Sequence, residues 1–123
     1  MTCLRIDVLA LLLVSLVLTG CSEWGGCTLS IEPAVIVEIR DAVDATPIAA
    51  TASASVSEGS FQDSLRLYDG SLTRAGADER EGTYTVRVLH TGYLVWEQTG
   101  VHVRDTGCHV ATVTLKADLQ RAP

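Results

Sequence analysis

The chain has 123 residues, of which 47% are hydrophobic and 20% are charged, and its formal net charge is −6. This length suits a single small domain. The acidic balance argues against nucleic acid as a partner and against a polybasic patch for a membrane surface.

The first element is an apolar run over residues 8–18. A helix of about 11 residues spans roughly 16 Å, whereas the hydrocarbon core of a bilayer is about 30 Å thick. The run is too short to span a membrane and has the length of the apolar region of a secretory signal peptide. A buried core helix is the alternative, but it would place polar residues at helical spacing, and this run has almost none.

The motif Leu18-Thr19-Gly20-Cys21 directly follows this run and resembles the lipobox of bacterial lipoprotein signal peptides. The resemblance implies that residues 1–20 are a signal peptide, that cleavage precedes Cys21, and that the Cys21 sulfur carries a diacylglyceryl group. It implies an extracytoplasmic protein anchored to a bacterial membrane, because two acyl chains anchor stably and one does not. Ser22 favours the outer membrane in a bacterium that has two membranes.

The chain has four cysteines. If Cys3 leaves with the leader and Cys21 carries lipid, Cys27 and Cys108 remain in a compartment that permits disulfides. One bridge between them would close a loop of about 80 residues and contribute about 4–5 kcal/mol. The alternatives are two separate free thiols and, less favoured without a Cys-x-x-Cys spacing, a zinc pair. With the bridge, the first and last strands are neighbours in a sheet or face each other across a core.

Residues 21–26 form a short tether. It reaches roughly 20 Å when fully extended, so the domain is expected to stay close to the lipid surface. Trp24 in this tether either sits at the level of the lipid headgroups, where amphipathic rings are favoured, or covers the edge of the domain.

Further along the chain, apolar and polar residues alternate with the period of two that is typical of β-strands. Glycines at 70, 92 and 107 supply tight turns, and Gly100 predicts a bulge or bend within a strand. Residues 75–81 are polar and are predicted to be a loop. The predicted strand segments are residues 34–40, 47–57, 60–68, 83–90, 93–104 and 109–115.

No segment after residue 21 has a convincing helical period. Short strands separated by turns predict an all-β fold, a single antiparallel β-sandwich of about seven strands. We assign this domain to residues 27–117 and a C-terminal tail to residues 118–123.

With these strands placed, residues 34–41, 47–57, 81–88 and 91–93 resemble the carboxypeptidase regulatory-like domain. The matching features are a Val-x-Val opening strand, a small-residue strand that lacks the family's glycine, a Gly-x-Tyr-x-Val strand and a Gly-Tyr turn. The resemblance covers roughly residues 33–117 and implies a seven-stranded, prealbumin-like sandwich, a fold more than a function. Tyr84 of the Gly-x-Tyr motif is expected to reach backbone near the preceding turn, or to be a plain core aromatic.

Little in the sequence points to catalysis or to a cofactor. His90, His102 and His109 are scattered, which favours surface histidines over a metal site. The prealbumin-like hydroxyisourate hydrolases need a Tyr-Arg-Gly-Ser tail, and this chain ends differently. An enzyme would require two of these histidines to meet Asp63 or Asp105 in a pocket.

The acids of residues 75–81 are candidate ligands for calcium. Calcium needs more oxygen ligands at regular spacing than Asp78, Glu79 and Glu81 supply. A solvated loop with Arg74 and Arg80 as partners is the favoured interpretation. We therefore expect no catalytic residue, no metal and no cofactor.

The resulting hypothesis is a non-enzymatic, lipid-anchored sandwich that binds an envelope protein or has a structural role in the envelope. The alternative is a module that binds a surface polysaccharide, with Trp96 as the candidate contact. Trp96 is opposite in phase to Tyr93 and Val95, so it points to solvent or lies beneath the loop of residues 75–81. A platform for sugars normally needs several rings, and this chain has few.

Overall fold

The structure is a computed structural model that describes residues 26–123. The predicted signal peptide, the lipidation of Cys21 and Trp24 lie outside the described residues. Within residues 26–123 the regular structure is entirely β, in eight strands: β1 (Val35–Asp41), β2 (Ser53–Glu58), β3 (Phe61–Ser64), β4 (Arg66–Tyr68), β5 (Thr73–Gly76), β6 (Gly82–Leu89), β7 (Trp96–Val103) and β8 (Val113–Leu119).

The strands form two sheets of four, with the orders β4-β5-β1-β8 and β3-β2-β6-β7. This confirms the predicted all-β sandwich, with eight strands in place of about seven. The first and last strands are neighbours in one sheet, and they pair in parallel from Val35–Val113 to Asp41–Leu119. The other strand pairs are antiparallel.

The core lies between the sheets and follows from the alternation in the sequence. In β1 the side chains of Val35, Val37 and Ile39 are buried, and those between them are half-buried. The same phase places Val86 and Val88 of β6 inside. Because the inner faces consist largely of valine and alanine, the two layers can approach closely.

Three predicted strands differ in their bounds: one begins later, one divides in two, and the last, predicted over residues 109–115, is β8 over Val113–Leu119. In the segment 47–57 only β2 is a strand, because the backbone turns after Pro47 and the amide of Ala52 donates to the carbonyl of Ile48. The segment 60–68 divides at Leu65, whose side chain enters the core. As a result β3 and β4 belong to different sheets.

The predicted loop 75–81 is partly wrong, because Thr73–Gly76 forms β5. This strand has no alternation of apolar and polar residues, and pairing with β1 and β4 determines its conformation. The predicted bend at Gly100 is confirmed: the β6–β7 register shifts between Tyr84 and Val86, and Gly100 has φ of 69°. Gly70, Gly92 and Gly107 have positive φ, as expected for turns.

The strand directions define two ends of the sandwich. We call the end that carries residues 26–34, 77–81 and 104–112 the proximal end, because it contains Cys27. The opposite end, which carries residues 42–52, 69–72, 90–95 and 120–123, is the distal end. A strand of seven residues separates them by roughly 23 Å.

Candidate functional site: the two ends of the sandwich

The proximal end is closed by the disulfide between Cys27 and Cys108, whose Cα atoms are 5.2 Å apart. This confirms the pairing predicted from the sequence. The bridge joins the segment before β1 to the loop before β8, and these two strands are parallel neighbours. The N-terminal segment is therefore covalently fixed to the body of the domain.

Beside the disulfide, His109 connects two segments of the chain. Its Nδ1 donates to Glu79 Oε1 at 2.6 Å, and its Nε2 lies 2.8 Å from Thr28 Oγ1. Because a carboxylate only accepts, a neutral His109 carries its proton on Nδ1, and Nε2 accepts from the threonine hydroxyl. The backbone N–H of Glu32, and then His109, hold the pKa of Glu79 below its ordinary value.

This cluster borders an open depression of about 580 Å³ that Asp105 also lines. The depression contains one histidine, His109. Asp63 is elsewhere and accepts the backbone N–H of Ala77 at 2.9 Å. The hydroxyl, imidazole and carboxylate groups of Thr28, His109 and Glu79 form a chain of hydrogen bonds. This chain joins the N-terminal segment to the loop that carries Glu79.

The other two histidines also contact threonine hydroxyls. His102 Nδ1 lies 3.0 Å from Thr83 Oγ1 on the neighbouring strand. At the distal end, His90 Nε2 lies 2.7 Å from Thr51 Oγ1. Among residues 26–123, no three side chains of the metal-ligating types gather into a group.

The acidic loop has different partners from those predicted. Arg74 donates to backbone carbonyls, among them those of Ala49 at 2.9 Å and Leu65 at 3.0 Å, so it is not a partner of the loop acids. Asp78 pairs with Arg66 at 3.1 Å. Arg74 instead donates hydrogen bonds to carbonyl groups of the turn before β2. These carbonyl groups have no partner in a neighbouring strand.

Tyr84 and Arg80 pin the loop before β6. The buried Tyr84 hydroxyl donates to the carbonyl of Arg80 at 2.7 Å, which confirms the predicted backbone contact. The Arg80 guanidinium lies 3.8 Å from the centre of the Phe61 ring and 3.0 Å from Glu58 Oε1. The hydrogen bonds that Arg80 donates to Tyr84 Oη and Glu58 Oε1 raise the pKa of its guanidinium, which stays charged.

At the distal end, a buried carboxylate organises the loops. Asp41 accepts hydrogen bonds from Tyr93 Oη at 2.6 Å, Arg121 Nε at 2.7 Å and the backbone N–H of Val43 at 2.7 Å. The hydrogen bond from Arg121, followed by that from Tyr93, holds the pKa of Asp41 far below its usual range. One signal for this site was present in the sequence: Asp41 continues the inward phase of Val35, Val37 and Ile39.

Most of the large hydrophobic side chains exposed in the described residues lie around this distal end or on β4. Leu89 and Val95 flank the Val88–Trp96 pair of β6 and β7, which places them side by side on the outer face. The exposed set outside the N-terminal segment is Val43, Leu67, Tyr68, Leu72, Leu89, Leu94 and Val95.

Trp96, the candidate ligand contact, is opposite the buried Val88 in the neighbouring strand. It is half-buried and packs against the hydrophobic core. Its ring therefore contributes to packing at the distal edge of the core, and only part of it is accessible.

Comparison of the sequence with protein-family models and with curated proteins finds no match. In the described part of the chain, no helix has the length and apolar character needed to cross a bilayer.

Proposed function

We propose that the protein is a non-enzymatic, membrane-anchored lipoprotein that presents its distal end to a protein of the bacterial envelope. The observation that carries the proposal is the group of exposed apolar side chains in the distal loops. Val43, Leu94 and Val95 are 72%, 51% and 50% exposed, and all three lie at the end away from Cys27. Clustered apolar exposure of this kind is typical of interaction surfaces.

The orientation of the domain supports this assignment. A lipid on Cys21 would hold the proximal end at the membrane, because Cys27 is fixed to the body by its disulfide. The distal loops would then face away from the bilayer by the length of the sandwich, roughly 23 Å. The hydrogen bonds to Asp41 order these loops before a partner arrives, which lowers the entropic cost of binding.

The alternative of a polysaccharide-binding module receives less support. A sugar platform needs an accessible aromatic face, and Trp96 packs against the core. The exposed distal side chains are mainly aliphatic, which suits a protein surface better than a sugar ring.

The test is site-specific photocrosslinking of the full chain in its native envelope. A photoreactive residue at Leu94 should crosslink to one protein, whereas the same residue at the exposed Lys116 of β8 should not. Leu94→Ser together with Val95→Ser should abolish the complex and leave the melting temperature unchanged. Equal products from both positions, or none from Leu94, would contradict the proposed distal surface.

A further inference from the structure

The segment before β1 has two chemically different faces. Leu29 is fully exposed, at 101%, and Ile31 is 68% exposed. The alternate residues are polar: Thr28 contacts His109 of the body, and Ser30, which lines the proximal depression, lies within hydrogen-bond distance of Thr28 and Glu32 in the same segment. Two apolar side chains therefore project outward from a segment whose polar side chains hold it in place.

The segment cannot easily turn these side chains inward. Cys27 is fixed by its disulfide at one end, and the amide of Ala34 donates to the carbonyl of Gly76 at the other. Between them, the backbone N–H of Glu32 donates to Glu79 Oε1 at 2.8 Å. Rotating Leu29 toward the body would break the contact between Thr28 and His109.

We propose that Leu29 and Ile31 insert into the bilayer at the boundary between headgroups and acyl chains. This inference rests on the proposed lipid anchor at Cys21. About six residue steps separate Cys21 from Cys27, so the chain can place Cys27 at most roughly 20 Å from the anchored sulfur. At this distance, the outward apolar side chains of Leu29 and Ile31, which are next to the tether, are closer to the lipid surface than the distal loops are.

The charges of the proximal end indicate which lipids this contact tolerates. Glu32, Glu79, Glu81 and Asp105 lie at this end and outnumber its cations Arg80, which is engaged by Glu58, and Arg104. Anionic headgroups would be repelled by this surface, within the Debye length. The contact is therefore driven by burial of the two apolar side chains. Insertion is expected to be stronger in zwitterionic lipid than in anionic lipid.

The experiment uses the full chain with a photoreactive benzoylphenylalanine in place of Leu29. Val43 provides the matched control, because it is equally apolar and 72% exposed but lies at the distal end. After irradiation in native membranes, position 29 should give a phospholipid adduct by intact mass, at a yield many times that of position 43. In phosphatidylcholine vesicles, the yield at position 29 should fall as phosphatidylglycerol is added.

Each result has a separate meaning. If the chain is lipidated and membrane-bound but position 29 crosslinks to a protein, or to nothing, this inference is overturned. The proposed anchor is then still supported. A chain without lipid on Cys21, read from the same mass spectra, overturns the proposed anchor and this inference with it. Equal lipid adducts at positions 29 and 43 would also overturn the inference, since they would indicate contact without orientation.

Discussion

Asp41 and Arg121 are joined by a hydrogen bond of 2.7 Å, although 80 positions separate them in the sequence. Asp41 ends β1 and Arg121 follows β8, so the parallel pairing of these strands brings the two together. Tyr93, from the connection between β6 and β7, completes the contact. One buried carboxylate thus holds the C-terminal segment and the two connections that carry Val43, Leu94 and Val95.

The first prediction concerns Asp41→Asn and pH. Because Arg121 and Tyr93 lower the pKa of Asp41 in the folded protein, its ionised form stabilises the fold above the ordinary aspartate pKa of about 3.9. This contribution is lost as pH falls below that value. Urea unfolding between pH 7 and pH 3 should show a steeper decline for the wild type than for Asp41→Asn, which should already be less stable at pH 7.

Asp44→Asn is the matched control for this prediction. Asp44 also contacts Arg121, at 3.1 Å, but its side chain is 52% exposed. Its removal should change the pH dependence much less than the removal of Asp41. Identical pH profiles for the wild type and Asp41→Asn would show that this carboxylate is not coupled to folding.

The second prediction concerns the disulfide. Cys27 and Cys108 are 81 positions apart, and opening a loop of this size should lower the free energy of unfolding by about 4–5 kcal/mol. The double variant Cys27→Ser with Cys108→Ser should match the reduced wild type in denaturant unfolding. A loss below about 1 kcal/mol would mean that the unfolded chain is already restricted without the bridge.

The third prediction tests the contact between Tyr84 and the carbonyl of Arg80. Tyr84→Phe keeps the buried ring and removes the hydroxyl, so it should cost about 1–2 kcal/mol of unfolding free energy. The loop that this hydroxyl pins contains Ala77 and Glu79 at positive φ, of 53° and 52°, a conformation that needs support. Amide hydrogen exchange in residues 77–81 should therefore accelerate.

Tyr68→Phe provides the comparison, because Tyr68 is 38% exposed and lies on the edge strand β4. Its hydroxyl should be dispensable, with an effect within about 0.5 kcal/mol. If both tyrosine variants lose the same stability, the hydroxyl of Tyr84 has no special role in the loop.

Strands with large alternating side chains could be predicted from the sequence, whereas those built from small residues could not. β1 and β6 alternate valine or isoleucine with polar residues, so their inward faces were evident. In residues 47–52 the alternation among alanine, threonine and proline is equally compatible with a strand and with the turn that forms there. There the carbonyl groups are satisfied by Arg74, a distant side chain that no local pattern indicates.

The contacts at the two ends were predictable to different degrees. Once Cys27 is paired with Cys108, the adjacent Thr28 and His109 are necessarily near each other, so their contact was accessible by reasoning. The distal network was not, because the bridge leaves open whether β8 lies beside β1 or across the core from it. No local pattern indicates that Tyr93 and Arg121 reach Asp41.

The last prediction separates a packing role of Trp96 from a role in sugar binding. Trp96 is paired with the buried Val88 and packs on the core, so Trp96→Ala should lower the unfolding free energy by about 2–3 kcal/mol. Trp96→Phe should restore part of this loss, because the phenyl ring refills part of the space left by the indole. If Trp96→Ala left stability unchanged and abolished retention on a polysaccharide column, the ring would be a binding platform. The polysaccharide-binding alternative would then be favoured over the proposed protein-interaction role.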